Sequence, residues 1–304
     1  MCGSTSSWGV WLHADRPLAV LGNVAARAEA LGASAVLVAD EGTDRDLYVT
    51  LATLAARTRH VLLFGAVTNP HSRHPVATAA AYATLAELAP GRVVAGFGTG
   101  GSRVFGPMGL GPKRPLTALR ECVEVVDALL RGEAVEHRGE FSVRAQLPWS
   151  SGGLPIAIAG RGPRVERLAA TRADWVLLAG RAIAAVAVLV PRLRALGVTN
   201  RGRVAAMAWN PNVAWTEPMR DDVRAHLSYM LADMPESERV GPEALLERFA
   251  VTGSRAEVVQ RLDRLRRSVT PELFAFDAYD YSVAFVNELA DVVAEAGILN
   301  KGAQ

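Results

Sequence analysis

The sequence predicts an α/β fold, a single (β/α)8 TIM barrel, and three observations carry that expectation. Eight short apolar runs alternate with longer amphipathic stretches from one end of the 304-residue chain to the other. Most of the runs are continuously apolar, as strands covered on both faces of a parallel sheet are. No Pro/Ser-rich linker or shift in charge divides the chain. One closed barrel over 1–304 is therefore favoured over a doubly wound open sheet, which eight strands also allow.

In chain order the expected strands are WGVWLHA (8–14), SAVLVAD (34–40), VLLFGAVT (61–68) and RVVAGFG (92–98), followed by PIAIAG (155–160), DWVLLAG (174–180), VAAMAWN (204–210) and ELFAFDA (272–278). Helical periodicity marks 18–32, 47–58, the alanine-rich 76–88, 118–132, 164–172 and 255–267. Gly32 and Gly132 stand where a helix ends in the left-handed conformation. FAVTGS (249–254) reads as a connection, not a barrel strand. Segments 99–115 and 133–154 exceed what a βα link needs, and long loops in a compact domain are usually lids or binding loops at the C-terminal mouth.

Composition removes several function classes. The formal net charge is +2, and of 33 basic residues only Lys113 and Lys301 are lysines. The arginines sit beside acids, as in Arg45/Asp46, Glu166/Arg167 and Asp263/Arg264, which describes solvated helix faces and not a nucleic-acid patch. Cys2 and Cys122 fit no metal or redox spacing, so a reducing compartment is expected. The start MCGSTSSWGVW lacks the features of a signal peptide. The longest nearly apolar window, Trp175 to Val190, spans 16 residues, short of the ~20 that cross a bilayer. A soluble, cytoplasmic protein acting on a small molecule is the expectation, with no nucleic-acid or membrane partner.

Several motifs carry chemistry. GFGTGG (96–101) satisfies G-x-G-x-x-G after a strand, but a loop is expected to follow it where a dinucleotide fold needs a helix. Its glycines would instead let the backbone approach something flat or charged. In AGRGPRVERLAA (159–170) two glycines flank Arg161 and Pro163 occupies a first helical position. Free N–H groups, the helix dipole and Arg161 together suit a phosphate. His71 and His74 in VTNPHSRHP (67–75) are spaced like metal ligands, yet no carboxylate or cysteine accompanies them and Pro75 cuts the helix. They are read as structural or substrate-facing, and no metal site is expected. Trp209 and Trp215 suit either a pocket wall or core packing. His13 and the pair Asp40-Glu41 end the first two strands, at the functional mouth of a barrel. Glu41 first and His13 second are candidate proton donors if burial moves their pKa toward neutrality. Asp40 could equally cap a helix or anchor a loop.

The block VTNPHSRHPVATAAAYATLAELAPGRVVAGFGTGGS (67–102) resembles the strand-three to strand-four region of the bacterial luciferase-like superfamily. The likeness is to its deazaflavin (coenzyme F420)-dependent branch, around methylenetetrahydromethanopterin reductases. The phrases at 45–70, 120–141, 155–180 and 249–262 support it, so the resemblance covers roughly 45–265. It implies a non-prolyl cis peptide between Ala66 and Val67, forming a flat apolar wall behind a tricyclic ring. It places Asp40, Ala66, Val67, Thr68, Asn69, Thr99 and Gly100 along the cofactor, and Ala159, Gly160, Arg161, Gly162 and Pro163 on its phosphate. Gly180 and Arg181 would touch the phosphate tail or the substrate, and a homodimer through helices two and three is implied. The deazaflavin-dependent sugar and alcohol dehydrogenases place a histidine where this chain has Glu41. The sugar enzymes also have a glutamate where it has Gly101. The resemblance therefore implies an F420-dependent reductase using another acid, with an FMN-dependent monooxygenase, or a non-catalytic flavin-binding protein or barrel that has lost its cofactor, as the rival readings.

Overall fold

The computed structural model describes residues 6–111, 113–196, 205–228, 231, 236 and 240–298; Cys2, Pro112 and Val204 lie outside the described residues. The first half runs β1 (Ser7–Leu12), α1 (Leu18–Ala30), β2 (Ala35–Val38), α2 (Leu47–Arg57), β3 (Leu62–Gly65), α3 (Pro75–Leu88), β4 (Val93–Phe97), α4 (Ser102–Met108) and α5 (Pro115–Leu130). It continues with β5 (Val135–Arg138), β6 (Ser142–Ala145), β7 (Ile156–Ala159), α6 (Pro163–Arg172), β8 (Trp175–Leu178) and α7 (Ile183–Leu196). The remainder is β9 (Ala206–Trp209), β10 (Asn212–Ala214), α8 (Glu217–Ser228), α9 (Pro242–Phe249), β11 (Ala250–Thr252), α10 (Arg255–Val269), β12 (Leu273–Asp277) and α11 (Val283–Glu295).

Eight of these strands close into one parallel barrel in the order β1-β12-β9-β8-β7-β4-β3-β2. All eight expected strands are present, each shorter than its apolar run because the last residues of a run leave the ladder as they enter the mouth. Side-chain alternation splits the core in two. Residues such as Val10, Leu12, Val36 and Val38 pack outward against the helices. Trp11, Leu37, Phe64, Val94, Leu177 and Ala275 point inward and fill the lumen. Continuing that inward parity past the strand ends leads to His13, Gly98, Asn210 and Asp277, so the floor of the mouth is partly polar by register alone.

Three elements differ from expectation. Segment 133–154 is not an open loop: β5 and β6 pair antiparallel, with His137 opposite Val143. It leaves the far end of α5, and its turn comes back to the mouth, where Glu140 pairs with Arg114 and the Phe141 ring meets His74 edge-on at 6.1 Å. Segment 99–115 contains the helix α4, which opens directly after GFGTGG with Gly101 as its N-cap. The closed barrel, not the absence of a helix, is what excludes a dinucleotide fold. FAVTGS does stay outside the barrel, but its β11 pairs parallel with β10 in a separate two-stranded sheet. Gly32 (φ 89°) and Gly132 (φ 77°) end α1 and α5 in the left-handed region, as expected. Among the described residues, no helix is long and apolar enough to cross a membrane.

Candidate active site

The stretch VTNPHSRHP (67–75) is shaped by its hydrogen bonds. The Ala66–Val67 peptide is cis. Thr68 then bridges back to Gly96 through its backbone, with its N–H donating to Gly96 at 3.0 Å. Asn69, 2 % exposed, accepts from the N–H groups of His71 and Ser72 at 2.9 Å each and donates to the Ser72 hydroxyl at 2.8 Å. His74 caps α3 by accepting from Val76 N at 3.3 Å, and Pro75 supplies the first helical residue. Arg73 reaches Asp46 at 3.6 Å and lies 4.6 Å over the Tyr48 ring, tying the loop to the start of α2. The polar residues of this stretch are thus used up in turning the chain from β3 into α3.

Asp40 accepts from the Thr68 hydroxyl at 2.7 Å, and burial pushes its carboxyl above the usual carboxylate range. It does not cap a helix; Asp46 caps α2 by accepting from Tyr48 N and Val49 N. The glycines of GFGTGG also have protein neighbours. A Cβ on Gly96 would lie 1.8 Å from the Gly65 carbonyl oxygen, and one on Gly98 would lie 2.7 Å from Val67 Cγ2. Gly100, at φ +79°, backs onto the Phe105 ring. These positions keep β3 and β4 close, and with Ala66 and Ala159 they leave a low apolar shelf around the cis junction. Thr99 is half-buried beside it.

The second constellation forms at β7. Gly162, at φ +98°, is the N-cap of α6, Pro163 is its first residue, and a Cβ at Gly162 would meet nothing within 4 Å. Gly160 is packed on Val165, and Arg161 is exposed. An open, backbone-lined helix start beside an exposed guanidinium has the donor set a phosphate needs. Arg181 is engaged from behind: it pairs with buried Glu166 at 3.1 Å and donates to the Gly160 carbonyl, so it braces the turn. Burial lowers its pKa, against the pull of Glu166.

A third group gathers at the ends of β1, β2 and β12. His13 Nδ1 lies 3.9 Å from Glu41, and its Nε2 lies 3.5 Å from Asp277 Oδ1. The His226 ring of α8 stands 4.7 Å from that of His13. Asp277 is 1 % exposed; its Oδ2 accepts from Asn210 at 3.0 Å and from Tyr279 at 3.2 Å. Glu41 also faces Arg103 at 3.3 Å. Burial raises the pKa of Glu41, and the charges of Arg103 and His13 offset it only in part. Burial works against a charged His13, but the Asp277 carboxylate outweighs it and the pKa rises. Burial holds His226 down at about 4. Trp11, Gly180 and Asn210 complete the walls of a cavity of about 50 Å³ here.

Sequence reasoning brought His13 and Glu41 to this place and missed Asp277, His226, Asn210 and Arg103. Asp277 had a readable signal, an acid ending an apolar strand in FAFDA; His226 and Arg103 sit on helices with no local mark. Trp209 is core, packed on Phe274 at 5.7 Å, and Trp215 stacks on Phe285, so neither walls the pocket.

The family model for luciferase-like monooxygenases matches residues 3–271. The chain belongs to that family. This luciferase-like protein is 37% identical over 153 residues to the 5,10-methylenetetrahydromethanopterin reductase of Archaeoglobus fulgidus, covering 50% of the chain and 46% of that enzyme. It is 28% identical over 257 residues to the enzyme of that name from Methanolobus tindarius, covering 84% of the chain and 74% of the relative. An F420-dependent glucose-6-phosphate dehydrogenase from Nakamurella multipartita is 36% identical over 162 residues, with 50% of the chain and 48% of the relative covered. Among solved structures, the coenzyme F420-dependent tetrahydromethanopterin reductase of Methanopyrus kandleri superposes with a TM-score of 0.81 at 20% identity, over 95% of this chain and 98% of that one. An F420-dependent secondary alcohol dehydrogenase gives 0.80 at 17% identity, over 96% and 99%. At those identities the two structures speak for the fold.

Proposed function

We propose that this luciferase-like protein is an F420-dependent oxidoreductase that moves hydride between the reduced deazaflavin and a small organic substrate at the barrel mouth. The observation that carries the reading is the pairing of two features at one mouth: the small-residue shelf at the cis Ala66–Val67 junction and the open glycine turn at 160–163. The F420-dependent names of the relatives support the choice of cofactor. When bound, the deazaflavin supplies a two-electron hydride carrier that reacts poorly with oxygen.

The chain's own residues then have separable tasks. Gly160, Arg161, Gly162 and Pro163 hold the phosphate at the start of α6, with Arg181 keeping the turn in place. Ala66, Val67, Thr99 and Gly100 lie along the ring, and Thr68 and Asn69 hold the shelf from behind. Asp40, whose pKa burial raises, would lie along the cofactor with its carboxyl held by the Thr68 hydroxyl. Glu41 is the proton donor: it stands at the mouth 3.9 Å from His13, and burial raises its pKa above the ordinary glutamate value. Trp11 and Gly180 bound the space for the substrate.

A titration with two flavins tests this. Purified protein is mixed in turn with coenzyme F420 and with FMN, following fluorescence quenching. Saturable binding of F420 at micromolar concentrations, with weaker or no FMN binding, is the expected result. Binding of FMN alone makes the protein an FMN-dependent monooxygenase candidate, and binding of neither points to a barrel without a flavin; both overturn the proposal.

A further inference from the structure

Beyond the flavin chemistry, we propose that His13, His226 and Asp277 form a binding site for a divalent metal of the zinc type at the barrel mouth. One ligand atom from each of the three lies within 4.8 Å of the others. The shortest edge known, His13 Nε2 to Asp277 Oδ1, is 3.5 Å. Ligand bonds of roughly 2.0–2.2 Å in a tetrahedral site place neighbouring ligand atoms about 3.4 Å apart, so that edge is already near the required length.

The second observation is an unsatisfied acid. Asp277 is 1 % exposed, and its Oδ1, facing the cluster, has no hydrogen-bond partner; neither does either ring nitrogen of His13. The 3.5 Å separation between them is long for a charge-assisted hydrogen bond. His13 Nε2 compensates that oxygen by charge across 3.5 Å, and a bound cation between the two would supply the bond that is missing. The surroundings match what metal ligands require. Asp277 Oδ2 is fixed by Asn210 and Tyr279. Glu41 lies on the Nδ1 side of His13 at 3.9 Å, away from the Nε2 that faces Asp277. Two imidazoles and one carboxylate favour zinc-like ions over magnesium or calcium. Three protein ligands leave a fourth position toward the cavity lined by Trp11 and Asn210, suited to water or to a carbonyl or carboxylate oxygen of a substrate. The ligands come from the ends of β1 and β12 and from α8, so the barrel and not the local sequence assembles them.

The test uses full-length protein stripped of metal with a chelator and free of flavin, so its outcome is independent of the F420 titration. Zinc binding is measured by calorimetry, and Co²⁺ serves as a spectroscopic probe of a tetrahedral site. The expected result is one equivalent per chain with visible Co²⁺ absorption, and a loss of at least about tenfold in affinity for both H226Q and D277N. H71Q, remote from the cluster, is expected to bind as the parent does. Melting curves check that the variants fold, and H226Q alone decides if D277N does not. The absence of stoichiometric binding by the parent overturns the site, as does binding that H226Q leaves unchanged.

Discussion

At the scale of single residues, the turn proposed to hold the phosphate makes the sharpest demand on the sequence. Gly162 adopts φ +98°, a conformation open to glycine and strained for other residues, while the space around its Cα is clear. A substitution there acts through backbone strain and through charge, and two variants separate them. Gly162→Ala carries the strain alone and is expected to weaken F420 binding modestly. Gly162→Asp adds an anion at the helix start and is expected to weaken it by a further factor of about 10 or more, since like charges a few ångströms apart repel by about 1 kcal/mol in water and by more as the dielectric falls. Fluorescence titration of both variants is the check; equal affinities would remove the phosphate from this turn. The motif AGRGP was legible because the need for φ > 0 and a donor-rich helix start is local. The partners of Arg181 were not, because Glu166 lies back on α6, on the other side of β8 in the chain.

At the scale of elements, the β5–β6 hairpin hangs on one buried acid. Glu121 of α5 accepts from His137 Nε2 at 3.0 Å and from Glu140 N at 2.7 Å, while Gly139 passes so close that a Cβ would lie 2.4 Å from Glu121 Oε2. Burial opposes its charge, yet these donors and Arg120 hold its pKa below the usual range. A carboxylate depressed in the folded state contributes stability above its unfolded pKa and loses it as pH falls through the folded value. Glu121→Gln is therefore expected to cost about 2 kcal/mol near neutral pH, as loss of hydrogen bonds to a charged group does. The gap should close below the unfolded value of 4.5, where the parent carboxyl takes up its proton. Chemical denaturation at pH 7 and in that acid range measures both. Sequence periodicity found the helices and barrel strands, since a buried parallel strand writes a continuous apolar run. It passed over β5 and β6, whose alternating residues VEHR and SVRA face solvent on one side and bury little. The short helix α4 was passed over for a related reason, with Gly106 and Pro107 inside its seven residues masking the period.

At the scale of the molecule, the barrel closes without a seam, and we propose that the chain folds as one domain and pairs as a homodimer. Val49 of α2 and Leu88 of α3 are 56% and 59% exposed, and Ala80 and Ala81 of the alanine-rich helix are half-buried. Small side chains let two helices approach closely, and the exposed apolar ones give that approach a driving force. Light scattering is expected to report about twice the chain mass of 32.3 kDa; a mass equal to one chain at micromolar concentration would refute the pairing.

What the sequence determined by itself was everything that depends on residues near one another along the chain. The eight apolar runs, the glycine helix ends and the placement of His13 and Glu41 at strand ends all rest on local periodicity and backbone preference. Tertiary structure alone decided which distant side chains meet. His13, His226 and Asp277 are separated by more than 200 residues from first to last. They face one another because β1 and β12 are neighbours in a closed sheet and α8 folds over their ends. Closure of a ring of strands brings the two ends of the chain together, and no window along the sequence carries that information.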